Sequence, residues 1–449
     1  MRAAPVWLIL LPFLSVAALG CTLHPKIEER IARDTRAWGE AGITEDLVLS
    51  VSKHCGSEQR ILEQHCHTQV QRILIQDGVV YLNNLIPNYT LGPHEGIGFL
   101  VELYEASRVF KLPDVEFSYW LDDHPPAETV LRPDGSVSWP YPPYGLPPMM
   151  AWSKSDDNGV LLVPYSGAFR CASDSFDALE AQLDELTRIP WEEREEVAFG
   201  RWNAFCTYYY TSHMVRMADG QAVPCPRTYL NNVSDAHPDL VNAYDLSRGK
   251  PVPLAHQNRY KFLVSTDGWS ISSKFDKYLL LGSAVLRAAS IRFGFYYPAL
   301  SPADPDDLTA DAHFIPFMEK HRDDIVEAVQ WARAHDAEAR RIGEAARVFA
   351  RQHLVRPARL CYIFRLLTEL SKQIRYPISC QRRKLCVPLV EELKFLAKYG
   401  TTSSTCIYGE LLDKYGATDP AAAPGDSRYE ELRAMHEDPL HWPRDDLPA

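Results

Sequence analysis

The chain has 449 residues, enough for two or three domains with sizeable cores. Hydrophobic residues make up 46% and charged residues 24%, an ordinary globular composition. The formal net charge of −12 argues against a nucleic-acid or anionic-membrane partner, since either needs a basic field, but leaves room for a local basic pocket.

Arg2 precedes an apolar run from Val6 to Leu19, and Ala18 and Gly20 stand just before Cys21. This pattern predicts a secretory signal at 1–20 cleaved after Gly20, too short for an ordinary membrane span and leaving no stable span once removed. An uncleaved signal anchor and an acylated Cys21 are the alternatives. Ten cysteines, an even set, then read as disulfides in an oxidising lumen. Cys206 with Cys225 would close a short local loop. Sequons at Asn88-Tyr-Thr90 and Asn232-Val-Ser234 fit the same compartment. His54-Cys55 and His65-Cys66-His67 have zinc-ligand chemistry, but their spacing fits no familiar zinc pattern, so no metal is expected.

Ile27 to Trp38 reads as an amphipathic helix, and Gly42-Ile-Thr-Glu45 as a cap before a second one. Arg72–Ile75 and Val79–Leu82 around Asp77-Gly78 predict a β-hairpin. Gly98–Phe110 reads as a helix, Val115–Trp120 as a buried strand, 125–148 as proline-rich loop and Asp174–Arg188 as a helix. A second unit begins near Val197, with strands at Val197–Arg201 and Tyr260–Ser265. Arg322–His353 reads as one long or kinked helix, Leu360–Ile374 as another, and 416–449 as a flexible acidic tail. Strands alternating with helices predict an α/β fold with parallel sheets, the ligand lying at carboxyl strand ends.

The segment from Tyr260 to Ser283 runs from an apolar strand through Asp267-Gly268 and a serine-rich turn into a Leu-rich segment. A strand, a turn with free N–H groups and a helix start can hold a phosphate. Asp122-Asp123 ends the strand 115–120, where a carboxylate could act as a general base or simply form a turn.

Leu112-Pro-Asp-Val-Glu116 leading to Asp123-His-Pro125, Arg201 in Gly-Arg-Trp, Trp269–Lys274, Phe295–Leu300 and His313-Phe-Ile-Pro316 occur in an order that resembles glycosyltransferase family 90. That family includes protein O-glucosyltransferases and fungal capsule-associated xylosyltransferases. The resemblance covers roughly Cys21 to Leu370. It implies a GT-B-like fold of two Rossmann-like domains facing across a cleft. The N-terminal acceptor-side domain would be 21–196, the donor-binding domain 197–359, and helices at 360–415 would pack back on the first domain.

It also implies a luminal endoplasmic reticulum or Golgi enzyme, or a secreted one. Such an enzyme would move glucose or xylose from a UDP-sugar to a protein or glycan hydroxyl, with inversion and without a metal or other cofactor. By the resemblance, Asp123 is the catalytic base. Arg201, Asn203, Arg227, Gly268, Trp269, Ser270, Ile271, Ser272, Ser273 and Lys274 bind the donor. Ser153, Lys154 and Tyr165 line the acceptor side, and Cys21 pairs with Cys361. Two departures stand out: Gly and Trp are exchanged around Arg201, and Lys274 replaces an arginine. They motivate the alternative of a non-catalytic binding protein on a decayed transferase scaffold.

Overall fold

The computed structural model describes residues 21–50, 70–85, 94–120, 130–131, 137–138, 147–156, 158–165, 175–186, 188–206, 210, 215–305, 307, 311–399 and 425–437. Asn88, Asp122, Asp123 and the histidine–cysteine segment 54–67 lie outside them.

The chain opens on helix α1 (Pro25–Thr35), whose Ile27 and Ile31 are buried, and a 3-10 turn at Arg36–Trp38. Thr44 caps α2 (Glu45–Leu49), its hydroxyl accepting from the Leu47 N–H at 3.3 Å. Strands β1 (Val70–Gln76) and β2 (Val79–Leu82) form the expected hairpin. Asp77 and Gly78 at its tip have φ of 53° and 81°, the twisted two-residue turn that Asp-Gly favours. Helix α3 (His94–Val109) leads to β3 (Val115–Trp120), buried along its whole length. A small hairpin, β4 (Val130–Leu131) with β5 (Val137–Ser138), stands apart, and β6 (Met149–Ala151) and β7 (Leu161–Leu162) follow.

These strands build a six-stranded sheet in which β3, β6 and β7 run parallel while β1, β2 and a late strand, β13 (Val387–Pro388), pair antiparallel. The expectation of parallel sheets therefore fails for this one. A two-residue Asp-Gly turn can only return the chain antiparallel, whereas a parallel pair needs a crossover.

The expected helix at 174–188 is two short pieces, α4 (Phe176–Ala181) and α5 (Leu183–Leu186), parted at Gln182.

The second sheet is wholly parallel. Its strands are β8 (Glu195–Trp202), β9 (Val241–Asp245), β10 (Tyr260–Ser265), β11 (Ala284–Ala288) and β12 (Ile315–Phe317), in the order β12-β11-β10-β8-β9. Helix α6 (Pro226–Ala236) crosses from β8 to β9, and α7 (Phe275–Leu280) from β10 to β11. This is a Rossmann-like arrangement. The chain goes from β8 to β9 on one side and returns as β10 on the other, so a topological switch point lies between the carboxyl ends of β8 and β10.

The long helix expected at 322–353 breaks at His335, where the backbone leaves the helical region (φ −117°, ψ 51°), into α8 (Asp324–Ala334) and α9 (Asp336–His353). Helix α10 (Arg356–Ser371) packs on α1 and α3, and β13 joins the first sheet ahead of α11 (Leu389–Tyr399). Within the segment expected as an acidic tail, α12 (Ser427–Glu437) buries Leu432 and His436. The His436 Nε2 meets Glu392 of α11 at 3.2 Å. No described helix is long and apolar enough to cross a membrane.

Buried ion pairs fasten these layers. Arg359 of α10 donates to Glu102 of α3 at 2.6 Å and to Asp177 at 3.0 Å, while Arg383 pairs with Glu116 of β3 at 2.5 Å. Removing one partner leaves the other charge buried and unmatched. Arg359→Met is expected to cost about 3–5 kcal/mol, read as a lower urea midpoint. An unchanged midpoint would show that Glu102 is neutral at no cost.

Candidate donor site

The carboxyl end of β8 carries Gly200-Arg201-Trp202. Residues 200 and 202 face the same side of the strand. The Trp202 ring folds back so closely that a Cβ on Gly200 would stand 2.1 Å from it. The exchanged glycine and tryptophan thus remain a matched pair: the indole fills the space that the missing side chain leaves. The Trp202 Nε1 then donates to the Arg227 carbonyl at 2.8 Å, fixing the start of α6 against the strand end.

Arg201 points the other way. Its guanidinium donates to the carbonyls of Gly200 and Asn242, both at 2.7 Å, and of Lys250 at 3.1 Å, and lies 4.4 Å over the Phe199 ring. Its charge is spent beside β9, and only its backbone joins the switch point.

Arg227 occupies the second position of α6, after Cys225 and Pro226, whose ring fits the first helical turn. Its guanidinium spans the two strand ends, donating to the carbonyls of Asn203 beyond β8 at 3.2 Å and Thr266 beyond β10 at 3.3 Å. A Cβ on Gly268 would come within 2.8 Å of both terminal nitrogens, so glycine is what lets the turn lie against the cation. Lys274, at the start of α7, sends its Nζ to the Arg201 carbonyl at 2.5 Å. Two cations therefore meet at one strand end, beside the first turn of α6, whose N–H groups have no intrahelical acceptor.

The rest of the 268–274 turn is inward-facing. The Gly268 N–H donates to the Ser270 carbonyl at 3.0 Å, Ser270 Oγ accepts from Trp152 Nε1 at 3.3 Å, and Ile271 is buried. Ser272 Oγ accepts from the Lys274 N–H at 3.3 Å, and the Ser273 carbonyl accepts from Lys277 Nζ at 2.6 Å. These serines shape the turn. Trp269 differs: it is 48% exposed and packs at 5.3 Å against Phe205, itself 53% exposed. Phe205 carries no motif and was missed in the sequence. Its neighbour Cys206 is bonded to Cys225, which draws the segment after β8 to the start of α6.

Of the acceptor-side residues, Tyr165 packs on Trp152 at 5.7 Å and Ser153 is buried beside Arg292, whose Nη1 donates to it at 3.5 Å. Lys154 turns inward: its Nζ meets Asp34 of α1 at 2.6 Å and the Val160 carbonyl at 2.8 Å. Burial brings its amine down to about 8, against the pull of Asp34. Asp122 and Asp123 lie outside the described residues. β3, which precedes them, ends at Trp120 beside parallel β6, which precedes Trp152. Asn232 is exposed on α6, while Ser234 of the same sequon is buried, its Oγ donating to the Ala243 carbonyl at 3.0 Å. Among the described residues no cluster of three or more histidine, cysteine or acidic side chains could hold a metal.

At the switch point of a parallel sheet, two cations, a glycine turn and the open N–H groups of a helix start offer a place where an anion could sit. The family model for glycosyl transferase family 90 matches residues 22–438, and the chain belongs to that family. It is 24% identical over 338 residues to protein O-glucosyltransferase 2 of Danio rerio, covering 68% of this chain and 60% of that protein. It is 32% identical over 295 residues to protein O-glucosyltransferase 1 of Homo sapiens, covering 63% and 68%. Against protein O-glucosyltransferase 3 of Homo sapiens it is 23% identical over 371 residues, covering 78% and 62%. The chain thus spans about three fifths of the length of several of these relatives.

The structure also contains the Cys21–Cys361 disulfide and a third, Cys380–Cys386. Non-reducing peptide mapping of the folded protein should recover Cys21–Cys361, Cys206–Cys225 and Cys380–Cys386. A free thiol at Cys225 would detach the loop that carries Phe205 from α6.

Proposed function

We propose that the chain is a glycosyltransferase that moves glucose or xylose from a UDP-sugar to a hydroxyl of a protein acceptor. The observation that carries this is Arg227, held across two strand ends against Gly268, with Lys274 beside it. A guanidinium so placed can make paired bonds to diphosphate oxygens. The protein O-glucosyltransferases among its relatives supply the sugar and the protein acceptor.

In this reading the diphosphate sits between Arg227, Lys274 and the first turn of α6. The exposed Phe205–Trp269 pair forms the rim, where the uracil or the sugar ring can lie on an aromatic face. Asp123 takes the proton of the acceptor hydroxyl. The oxygen attacks the anomeric carbon from the face opposite the diphosphate. The bond from that carbon to the phosphate oxygen breaks, and UDP leaves with the electron pair. The product is an inverted O-glycoside. Arg227 and Lys274 offset the negative charge that grows on the departing group, the work a divalent metal does in other transferases. The compartment that fits the disulfides is a secretory lumen, in the endoplasmic reticulum or Golgi. Two Rossmann-like domains facing across a cleft would bring Asp123 and the donor together.

Three measurements follow. Arg227→Ala should weaken UDP binding by about 1.5–3 kcal/mol, the worth of a charged hydrogen bond, in a calorimetric titration. Equal affinities would remove Arg227 from the donor site. Asp123→Asn should lower transfer by about 10²–10⁴-fold while UDP affinity holds, and near-full transfer would end the proposed mechanism. Transfer should also survive excess chelator; its loss there, restored by manganese or magnesium, would contradict a charge balance carried by Arg227 and Lys274.

A further inference from the structure

A cavity of about 670 Å³ opens between α1, the segment after β6 and the loop after β11. The chain as a whole carries −12, yet among the described lining residues Arg30, Arg33, Arg287 and Arg292 stand with one carboxylate, Asp156.

Three of the four guanidiniums, those of Arg30, Arg287 and Arg292, are held in place rather than free on the surface. Arg30 and Arg33 stand one turn apart on α1. Arg30 is committed: it donates to Asp34 at 3.0 Å and to Asp156 at 2.9 Å, with its plane 4.4 Å over the Phe293 ring. Arg33 is 64% exposed and reaches Asp156 only at 3.7 Å. Arg287 lies 4.8 Å over the Tyr297 ring and donates to the Arg292 carbonyl at 3.2 Å; no described carboxylate forms an ion pair with it. Arg292 is almost wholly buried beside Ser153. Asp267, nearby, accepts from the Ser290 hydroxyl at 2.5 Å. Stacking on the Tyr297 ring turns the N–H edge of Arg287, and exposure that of Arg33, toward a planar acceptor, and a carboxylate matches that geometry.

We propose that this cavity takes a carboxylate-bearing peptide segment of the acceptor, an acidic stretch flanking the hydroxyl that receives the sugar. The inference rests on the transferase reading for the word acceptor. Two features point to a peptide rather than to the donor. The diphosphate has its own cations at Arg227 and Lys274. The cavity has two walls, β11 with the loop after it on one side and α1 with the segment after β6 on the other, and β6 runs parallel beside β3, the strand that precedes Asp123. Its floor of Ile291, Phe293 and Pro298 suits the methylenes of a glutamate side chain.

The test uses the full chain and two synthetic peptides, acetyl-Glu-Glu-Ser-Glu-Glu-amide and its glutamine counterpart, titrated by calorimetry near physiological salt. The glutamate peptide should bind at least about tenfold more tightly than the glutamine one, as a charge-complementary contact requires. Arg33→Glu, on an exposed side chain that the fold does not need, should weaken it by at least about fivefold, and Arg287→Ala should do likewise. Equal binding of the two peptides, or parental affinity in both variants, overturns the proposal. So does Arg33-dependent binding of D-glucuronate without binding of the glutamate peptide, which would assign the cavity to acidic sugars. UDP titrated against the same samples should be unaffected by Arg33→Glu; it reports on the transferase reading alone, so the two ideas can fail separately.

Discussion

One short seam sets the geometry of the molecule. The Lys154 N–H donates to the Phe293 carbonyl at 3.1 Å, and the Phe293 N–H returns to the Lys154 carbonyl at 2.9 Å. Trp152 reaches Ser270 on one side of this bridge and Arg292 reaches Ser153 on the other. The segment that leaves β6 is thereby locked to the turn after β10 and the loop after β11. Lys154 has its amine inside, on Asp34, which adds α1 to the same knot. Cys21–Cys361 and the bond from Tyr362 Oη to the Leu162 carbonyl, at 2.7 Å, bring α10 in behind it. In the proposed reaction donor and acceptor would be held on different sheets, and such a tie would fix their spacing, since a misplacement of about 1 Å can cost about a hundredfold in rate.

The second constraint lies at the switch point. The order of a parallel sheet decides where a crevice opens, but the side chains decide what it can hold. Trp202 folded over Gly200, Pro226 at the head of α6 and Cys206–Cys225 all act on the position of Arg227. None of them needs to touch a ligand. They hold a guanidinium with its acceptors already chosen, so little conformational entropy remains to be lost when an anion arrives. Reversing glycine and tryptophan around Arg201 keeps this support, because both orders place the pair on one face of β8. The departure from the family pattern is therefore no sign of decay by itself.

Much of this was legible in the residues, for physical reasons that differ by element. The β1–β2 hairpin was plain because Asp-Gly dictates its turn, and β3 and β10 because apolar runs dictate burial. The strand β9 was missed: Val-Asn-Ala-Tyr-Asp alternates weakly, and its stability comes from Asn231 and Ser234 of α6, which hydrogen-bond to Asp245 and Ala243. The mixed first sheet was misread because alternation of strands and helices says nothing of a strand such as β13, which returns from some three hundred residues away. Motif order names Arg227, Gly268 and Lys274, which the fold brings to one strand end, and it names Arg201 beside them, whose side chain turns away. Its side chain serves β9, and spacing along a strand cannot tell which neighbour a guanidinium will choose. Phe205 gave no signal, since an aromatic residue before a cysteine reads as core until its exposure is known. The arginine cavity was equally silent: Arg30 and Arg33 are some two hundred and fifty residues from Arg287 and Arg292.

The central claim is that the diphosphate of a nucleotide sugar is held where β8 and β10 end. It is tested most directly by a crystal structure of the chain with UDP. The account requires phosphate oxygens within hydrogen-bond reach of the Arg227 guanidinium and Lys274 Nζ, over the α-carbon of Gly268. A diphosphate seated instead among Arg30, Arg33 and Arg287, with the Arg227 guanidinium still on the carbonyls of Asn203 and Thr266, would contradict it.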